Sequence, residues 1–141
     1  MVVGIVAITL TGVAAVYGGW RWWRVQTSVW FWRMLRAGQA VVIIEAVLGG
    51  VLIIMGRKSP GLHTLYGVLP LLVSVIAEQL RIGTAQMVLD ARGLESARAV
   101  GGLPEEEQRV LALSIIQREI GLMALAAAVN TVLLWRAAAT A

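Results

Sequence analysis

Four apolar stretches, each about as long as the hydrocarbon core of a bilayer is thick, dominate this chain. They cover residues 2–20, 31–55, 62–82 and 110–135. A helix needs about twenty apolar residues to cross the bilayer. An open strand cannot satisfy its backbone polar groups in lipid, whereas a helix can. The sequence therefore predicts an all-α polytopic membrane protein, folded over residues 1–141 as a single four-transmembrane-helix bundle.

The composition supports a membrane protein and excludes several kinds of chemistry. Of the 141 residues, 59% are hydrophobic and only 14% are charged, with a mean hydropathy of +0.80. Soluble domains are usually about half apolar and a quarter charged. The sequence has no cysteine, which excludes disulfides, thiolate metal sites and cysteine nucleophiles. No hydrolase motif is present either, so no catalytic residue is predicted and the chain is not expected to be an enzyme.

The connections between the stretches carry helix-end signals. The sequence "GRKSPG" at 56–61 predicts a tight turn. The sequence "GGLPEEEQ" at 101–108 predicts a break followed by a helix start, because proline and acidic residues favour the first turn. Between them, Met87, Ala91 and Leu94 recur at helical intervals. We therefore predict that residues 84–109 form a helical extension of the third span and a loop.

Basic residues are distributed unequally between the two sides. Eight would lie on one side and three on the other: Arg21, Arg24, Arg33, Arg36, Arg81, Arg92, Arg98 and Arg109 against Arg57, Lys58 and Arg136. The positive-inside rule then places both termini outside and the loops 21–30 and 84–109 in the cytoplasm. The expected location is the plasma (inner) membrane of a bacterium. The first span lacks a basic leading region and is predicted to remain as an anchor.

The sequence "WRWWRVQTSVWFWR" at 20–33 contains five tryptophans and three arginines. Tryptophan prefers the headgroup layer, where arginine can pair with phosphate and stack on aromatic rings. This segment is therefore interpreted as an interfacial belt, with a platform for a protein partner as the alternative. The lipid bilayer is an expected partner, and nucleic acid is not.

Charged and amide side chains fall within or beside the apolar stretches. The predicted buried polar network contains Arg36, Gln39, Glu45, Glu78, Arg81, Gln117, Arg118 and Glu119. A charge at the bilayer centre costs at least about 2.5–3.5 kcal/mol, so these groups should face one another. Ion pairs that lock the bundle are one interpretation, and an ion, proton or ligand site is the other. For Glu45 the functional interpretation is favoured, because no basic residue is predicted at its depth.

Small residues recur on one side of each span. Gly12, Gly38, Gly49, Gly67 and Gly121 are predicted to lie at helix–helix contacts. Small residues let backbones approach closely where lipid provides no hydrophobic drive for packing.

His63 and Tyr66 lie near the outer end of the third span, in "LHTLYG". A haem iron, with a methionine or a second copy completing the ligands, or a quinone headgroup would suit these side chains. Because His63 is the only histidine, no metal site is predicted. No cofactor is predicted outright, and haem and quinone remain alternatives.

Three functions are consistent with these features. The chain is expected to be a non-catalytic subunit or accessory factor of a larger membrane complex, binding other subunits or further copies of itself. The first alternative is a small proton- or ion-coupled transporter that uses Glu45, Glu78 and Glu119. The second is a redox subunit that binds haem or quinone through His63 and Tyr66.

Overall fold

The computed structural model of the protein describes residues 2–58, 61–94 and 97–140. Its helices are α1 (Val2–Trp23), α2 (Val29–Ile54), α3 (Gly61–Asp90), α4 (Ala97–Val100) and α5 (Glu105–Ala139), and the described residues include no strand. All of these helices except α4 are long and apolar enough to span a membrane. The predicted all-α fold with four long apolar helices is confirmed.

The four long helices form a closed ring of neighbours. Helix α5 packs against α1 and α3, and α2 packs against the same two helices from the other side. Consecutive long helices run in opposite directions, so Val2, Thr140 and the α2–α3 connection share one end, the terminal end. The α1–α2 connection and residues 91–104 share the other, which we call the arginine-rich end.

Helices α1 and α2 meet along a regular seam. Close contacts occur at seven-residue steps along both helices: Gly4 with Glu45, Thr11 with Gly38, and Gly18 with Phe31. A seven-residue repeat keeps the same side of each helix facing its partner. Each contact pairs a small residue with a larger one, so the two backbones lie close together.

Small side chains also dominate the interior. The main core joins Ala14 of α1, Phe31 and Leu35 of α2, Ala77 of α3, and residues of α5, including Met123, Ala124 and Ala127. A second layer, nearer the terminal end, contains Ala7, Val42 and Leu134, with Leu71 packed against it. All four long helices therefore meet at two levels.

Helices α2 and α3 end in the same glycine motif. Gly56 and Gly93 adopt φ values of +84° and +67°. At the first site the N–H of Arg57 donates to Leu52 O and the N–H of Gly56 donates to Ile53 O, both at 3.0 Å. This is the Schellman motif, in which glycine adopts the left-handed conformation without a Cβ penalty. The predicted turn at 56–61 begins there, although Ser59 and Pro60 lie outside the described residues.

Helix α1 ends in the same way but on a valine. Val25 has φ +51°, a value that is unusual for a β-branched residue. The Arg21 side chain spans this turn and donates to Gln26 Oε1 at 2.9 Å and to Thr27 O at 2.5 Å. Ser28 then caps the start of α2. These bonds hold the α1–α2 connection in one short conformation.

Beyond the arginine-rich end, α3 and α5 extend together. Helix α3 continues to Asp90, so the predicted extension is helical as far as that residue. Its ending turn leads to Leu94, and Glu95 and Ser96 of the predicted extension lie outside the described residues. Helix α5 begins at Glu105, five residues before the expected start of the fourth span, with three glutamates in its first turn. A separate small core joins the two extensions: Val88, Leu89 and Leu111, with Leu94, Val100 and Ile115 packed against it.

Candidate functional site

Glu78 of α3 is the centre of a cluster of polar side chains. Its Oε1 accepts from Arg36 Nη1 at 2.5 Å and from Gln39 Nε2 at 3.1 Å. Its Oε2 accepts from Arg81 Nε at 3.1 Å and from Arg36 Nη2 at 3.3 Å. Arg36 Nη1 also donates to Gln39 Oε1 at 2.8 Å. Both carboxylate oxygens of Glu78 therefore have two donors each.

The cluster joins three helices because its members are spaced by one helical turn. Arg36 and Gln39 face α3 from consecutive turns of α2, and Glu78 and Arg81 are spaced in the same way on α3. Arg81 Nη1 lies 3.9 Å from Glu119 Oε2 of α5. We call these five residues the charge network. Its two arginines and two glutamates balance.

The charge network is arranged to hold α2, α3 and α5 together. The side chains of Glu78 and Arg81 are 24% and 28% exposed, whereas that of Arg36 is 50% exposed. Removing one member of a partly buried ion pair is costly, because the remaining partner is left without a counter-charge. Trp32 also contacts the charge network, since the guanidinium carbon of Arg81 lies 5.4 Å from the centre of its indole ring.

Glu45 does not join the charge network. It lies nine residues after Arg36, which places it about half a turn away around the helix. Its side chain points to α1, where Oε1 would lie 2.9 Å from a Cβ added at Gly4. Its Oε2 is buried and has no hydrogen-bond partner among the described residues. A buried carboxylate oxygen without a donor is unfavourable and is uncommon in folded proteins.

Gln117 and Arg118 also lie outside the charge network. Neither side chain forms a hydrogen bond or an ion pair with another described residue. Arg118 is exposed and lines a groove between α1 and α5. Glu119, the next residue, points to Arg81 instead.

His63 and Tyr66 are both held by the end of α5. His63 Nδ1 donates to Ala137 O at 2.9 Å. The guanidinium carbon of Arg136 lies 5.7 Å from the centre of the Tyr66 ring. The two side chains thus have separate partners, and the described residues contain no group of three or more metal-ligating side chains.

The five glycines predicted at helix contacts have different surroundings. A Cβ added at Gly38 would lie 3.3 Å from Thr11, and one added at Gly12 would lie 3.5 Å from Thr131. At Gly121 it would lie 2.6 Å from the indole nitrogen of Trp22. Gly49 and Gly67 have no atom of another described element within 4 Å of that position.

A comparison with protein-family models finds no match, and searches of curated proteins and of solved structures find no match either. A functional assignment therefore depends on the geometry of the described residues.

Two residues that matter to this geometry, Trp32 and Gly18, were not predicted at helix contacts or in the buried polar network. Trp32 precedes Arg36 by one turn, so its place in the tryptophan belt was a usable signal for a contact with the charge network. Gly4 and Gly18 precede and follow Thr11 by seven residues, and that repeat was the signal for the seam. The sequence alone did not show which glycine in each span is closest to its neighbour.

Proposed function

We propose that this chain is a non-catalytic subunit of a membrane complex, in which the terminal-end half of α2 binds a transmembrane helix of another subunit or of a second copy. The four long helices cross the membrane, with Val2 and Thr140 outside and the loops 21–30 and 84–109 in the cytoplasm. The unequal distribution of basic residues supports this orientation. A bacterial inner membrane is the proposed location.

The terminal-end half of α2 is poorly covered by the other long helices. Val42 is the last buried residue of α2, and every described residue from Ile43 to Lys58 is at least partly exposed. Both Gly49 and Gly50 have open space where a Cβ would lie. Such small residues are typical of surfaces where a second transmembrane helix packs.

The open space at Gly49 is the observation that carries the proposal, and the partly buried side chain of Glu45 adds to it. Glu45, Gly49 and Leu52 follow one another by one turn, and we call them the open face of α2. An intramembrane carboxylate is expensive unless it is paired or hydrogen-bonded. A partner helix on the open face would cover the glycine and shield the partly buried Glu45 side chain from lipid.

Cross-linking through single cysteines tests the open face, since the chain has no cysteine of its own. Leu52→Cys places a thiol on the open face, and Val47→Cys places one on the opposite side of α2. The native side chains are 47% and 59% exposed, so both thiols should be accessible. We expect Leu52→Cys to form a defined cross-linked species in native membranes, and Val47→Cys to form at least tenfold less of it.

Gly49→Leu is a second variant, designed to block the partner helix. The open space at Gly49 should accept the larger side chain without changing the fold of the subunit, while the added volume blocks a partner helix. We expect the Leu52→Cys cross-link to fall at least tenfold in this background. Equal cross-linking at the two cysteines, or an unchanged cross-link with Gly49→Leu, contradicts the proposal. Mass spectrometry of the product distinguishes another subunit from a second copy.

An ion- or proton-coupled transporter is the second candidate function, and Glu45 again favours it. A carboxylate oxygen without a protein donor is suited to bind a proton or a cation. The proposed relay has less support at Glu78 and Glu119, because both face arginines of the charge network.

If this second function is correct, Glu45→Gln should abolish a proton or cation flux into liposomes that contain the purified protein. Glu106→Gln, an exposed change in the first turn of α5, should leave the flux unchanged. A flux that persists in Glu45→Gln, or no flux with the native protein, would remove this function.

The redox alternative has the least support from the geometry. His63 and Tyr66 each have a partner on α5, and no contact in the described structure brings them to a common site. A Soret band in the purified protein that is lost in His63→Ala would restore this alternative.

A further inference from the structure

A groove between α1 and α5 lies on a different face of the bundle from the open face of α2. Its volume is about 540 Å³, and it opens to the outside of the bundle. Small residues lie along it: Ala15 and Gly19 of α1, and Gly121 and Ala124 of α5. Trp22 and Arg118 are its large residues at the arginine-rich end. The groove is therefore apolar along its length and cationic at one end.

Arg118 differs from three arginines at a similar level on the other long helices, Arg21, Arg36 and Arg81, which all donate hydrogen bonds within the fold. The first donates to the α1–α2 connection, and the next two donate to Glu78. Arg118 has no hydrogen-bond acceptor or counter-ion among the described residues. Its neighbours one turn away, Ser114, Ile115, Gly121 and Leu122, include no acid.

The depth of Arg118 fits the headgroup layer. It precedes Arg136 by 18 residues, or roughly 27 Å along a helix at about 1.5 Å per residue. That separation is close to the hydrocarbon thickness of about 30 Å, so the two arginines would lie at opposite surfaces of the bilayer. Trp22 packs over Gly121 at the same level, and tryptophan favours this layer.

We propose that this groove binds an anionic phospholipid. The phosphate pairs with the guanidinium of Arg118, and one acyl chain lies along the small residues between α1 and α5. Arginine binds phosphate through two parallel hydrogen bonds, and basic sites between transmembrane helices suit anionic headgroups. Exposed Arg24, which stacks on Trp20, adds to the positive potential nearby. The inference rests on the membrane insertion proposed above but not on the partner helix of α2.

Native mass spectrometry of the detergent-purified protein tests the site. The protein is titrated with palmitoyl-oleoyl phosphatidylglycerol and, separately, with phosphatidylcholine that has the same chains. The native protein should bind the first lipid about tenfold more tightly than the second. Arg118→Gln should remove this preference, because the variant loses the charge-assisted bonds to phosphate.

Two further variants separate the groove from general charge attraction. Gly19→Leu fills the groove, and the open space at Gly19 should allow the bundle to fold. It should weaken binding of both lipids about tenfold. Arg109→Gln removes the same charge from an exposed position on α5 outside the groove, and it should leave both affinities unchanged.

The outcomes distinguish this site from the proposed function. Equal binding of the two lipids, or an equal loss in Arg109→Gln and Arg118→Gln, would overturn the lipid site while leaving the partner helix of α2 unaffected. Release of the native protein from membranes by alkaline carbonate would overturn both proposals, because it would show that the helices are not inserted.

Discussion

Gly18→Ala should destabilise the bundle by about 1–3 kcal/mol, the usual cost of overpacking a filled core. A Cβ at Gly18 would lie 2.9 Å from the Cβ of Ala124 and closer still to the ring of Phe31. Phe31 is fully buried in the main core, so its ring has no free space to enter. The measurement is the apparent melting temperature in mild detergent, which should fall by several degrees.

The next residue provides a matched control. Gly19 has no atom within 4 Å of the position that a Cβ would take, and alanine favours a helix over glycine by about 1 kcal/mol. Gly19→Ala should therefore leave stability unchanged or raise it. Phe31→Leu should cost less in the Gly18→Ala background than alone, because the smaller side chain relieves the clash. Equal melting temperatures for the two alanine variants would contradict the close packing of α1, α2 and α5.

Glu78→Ala is the second change with a large expected effect. It leaves Arg36 and Arg81 without their shared acceptor and with unbalanced charge at the junction of α2, α3 and α5. Hydrogen bonds to charged groups contribute about 1.5–3 kcal/mol each. Since these side chains are partly exposed, we expect a total loss of about 2 kcal/mol of unfolding free energy. Titration with a denaturing detergent, followed by circular dichroism, measures this loss.

A charge exchange separates the ion pair from simple loss of a side chain. Arg36→Glu and Glu78→Arg should each destabilise the protein alone, and the double variant should recover part of the loss if the two groups interact directly. Glu106→Gln, which removes an exposed charge from α5, is the control and should change nothing. A double variant as unstable as the sum of the single ones would show that the two side chains do not stabilise the fold as a pair.

The long apolar helices were predictable because an apolar run of about twenty residues is by itself a strong signal for a helix of that length. Helix ends were less predictable, and the end of α1 shows why. Glycine marks the ends of α2 and α3 at Gly56 and Gly93, whereas α1 ends on Val25. Bonds from the Arg21 side chain accompany that conformation, and no local sequence preference for valine would predict it.

The polar residues show the same division between what a pattern can and cannot predict. Depth along each span predicts that Arg36, Gln39, Glu78, Arg81 and Glu119 occur at one level, and these five side chains form the charge network. Rotation about the helix axis decides contact, however, and Glu45 faces α1 while Arg36 faces α3. Sequence spacing gives the angular position of each side chain around its own helix axis. It does not give the order of the helices around the bundle.

Glycine spacing has a similar ambiguity. Gly38 and Gly49 repeat on α2 as potential contact points, yet only Gly38 has a neighbouring helix close to it. A small-residue face indicates that close approach is feasible, and the identity of the approaching helix comes from the tertiary arrangement. At Gly49 it would come from a separate chain under the proposed function.

The paired extensions of α3 and α5 have a mechanical consequence. From Arg81 to Asp90, α3 rises about 14 Å, and α5 covers about 20 Å between Arg118 and Glu105 at the usual rise per residue. Because Val88, Leu89 and Leu111 pack in one small core between the two extensions, the extensions should move together. A tilt of either helix about the charge network would therefore displace both extensions in the same direction.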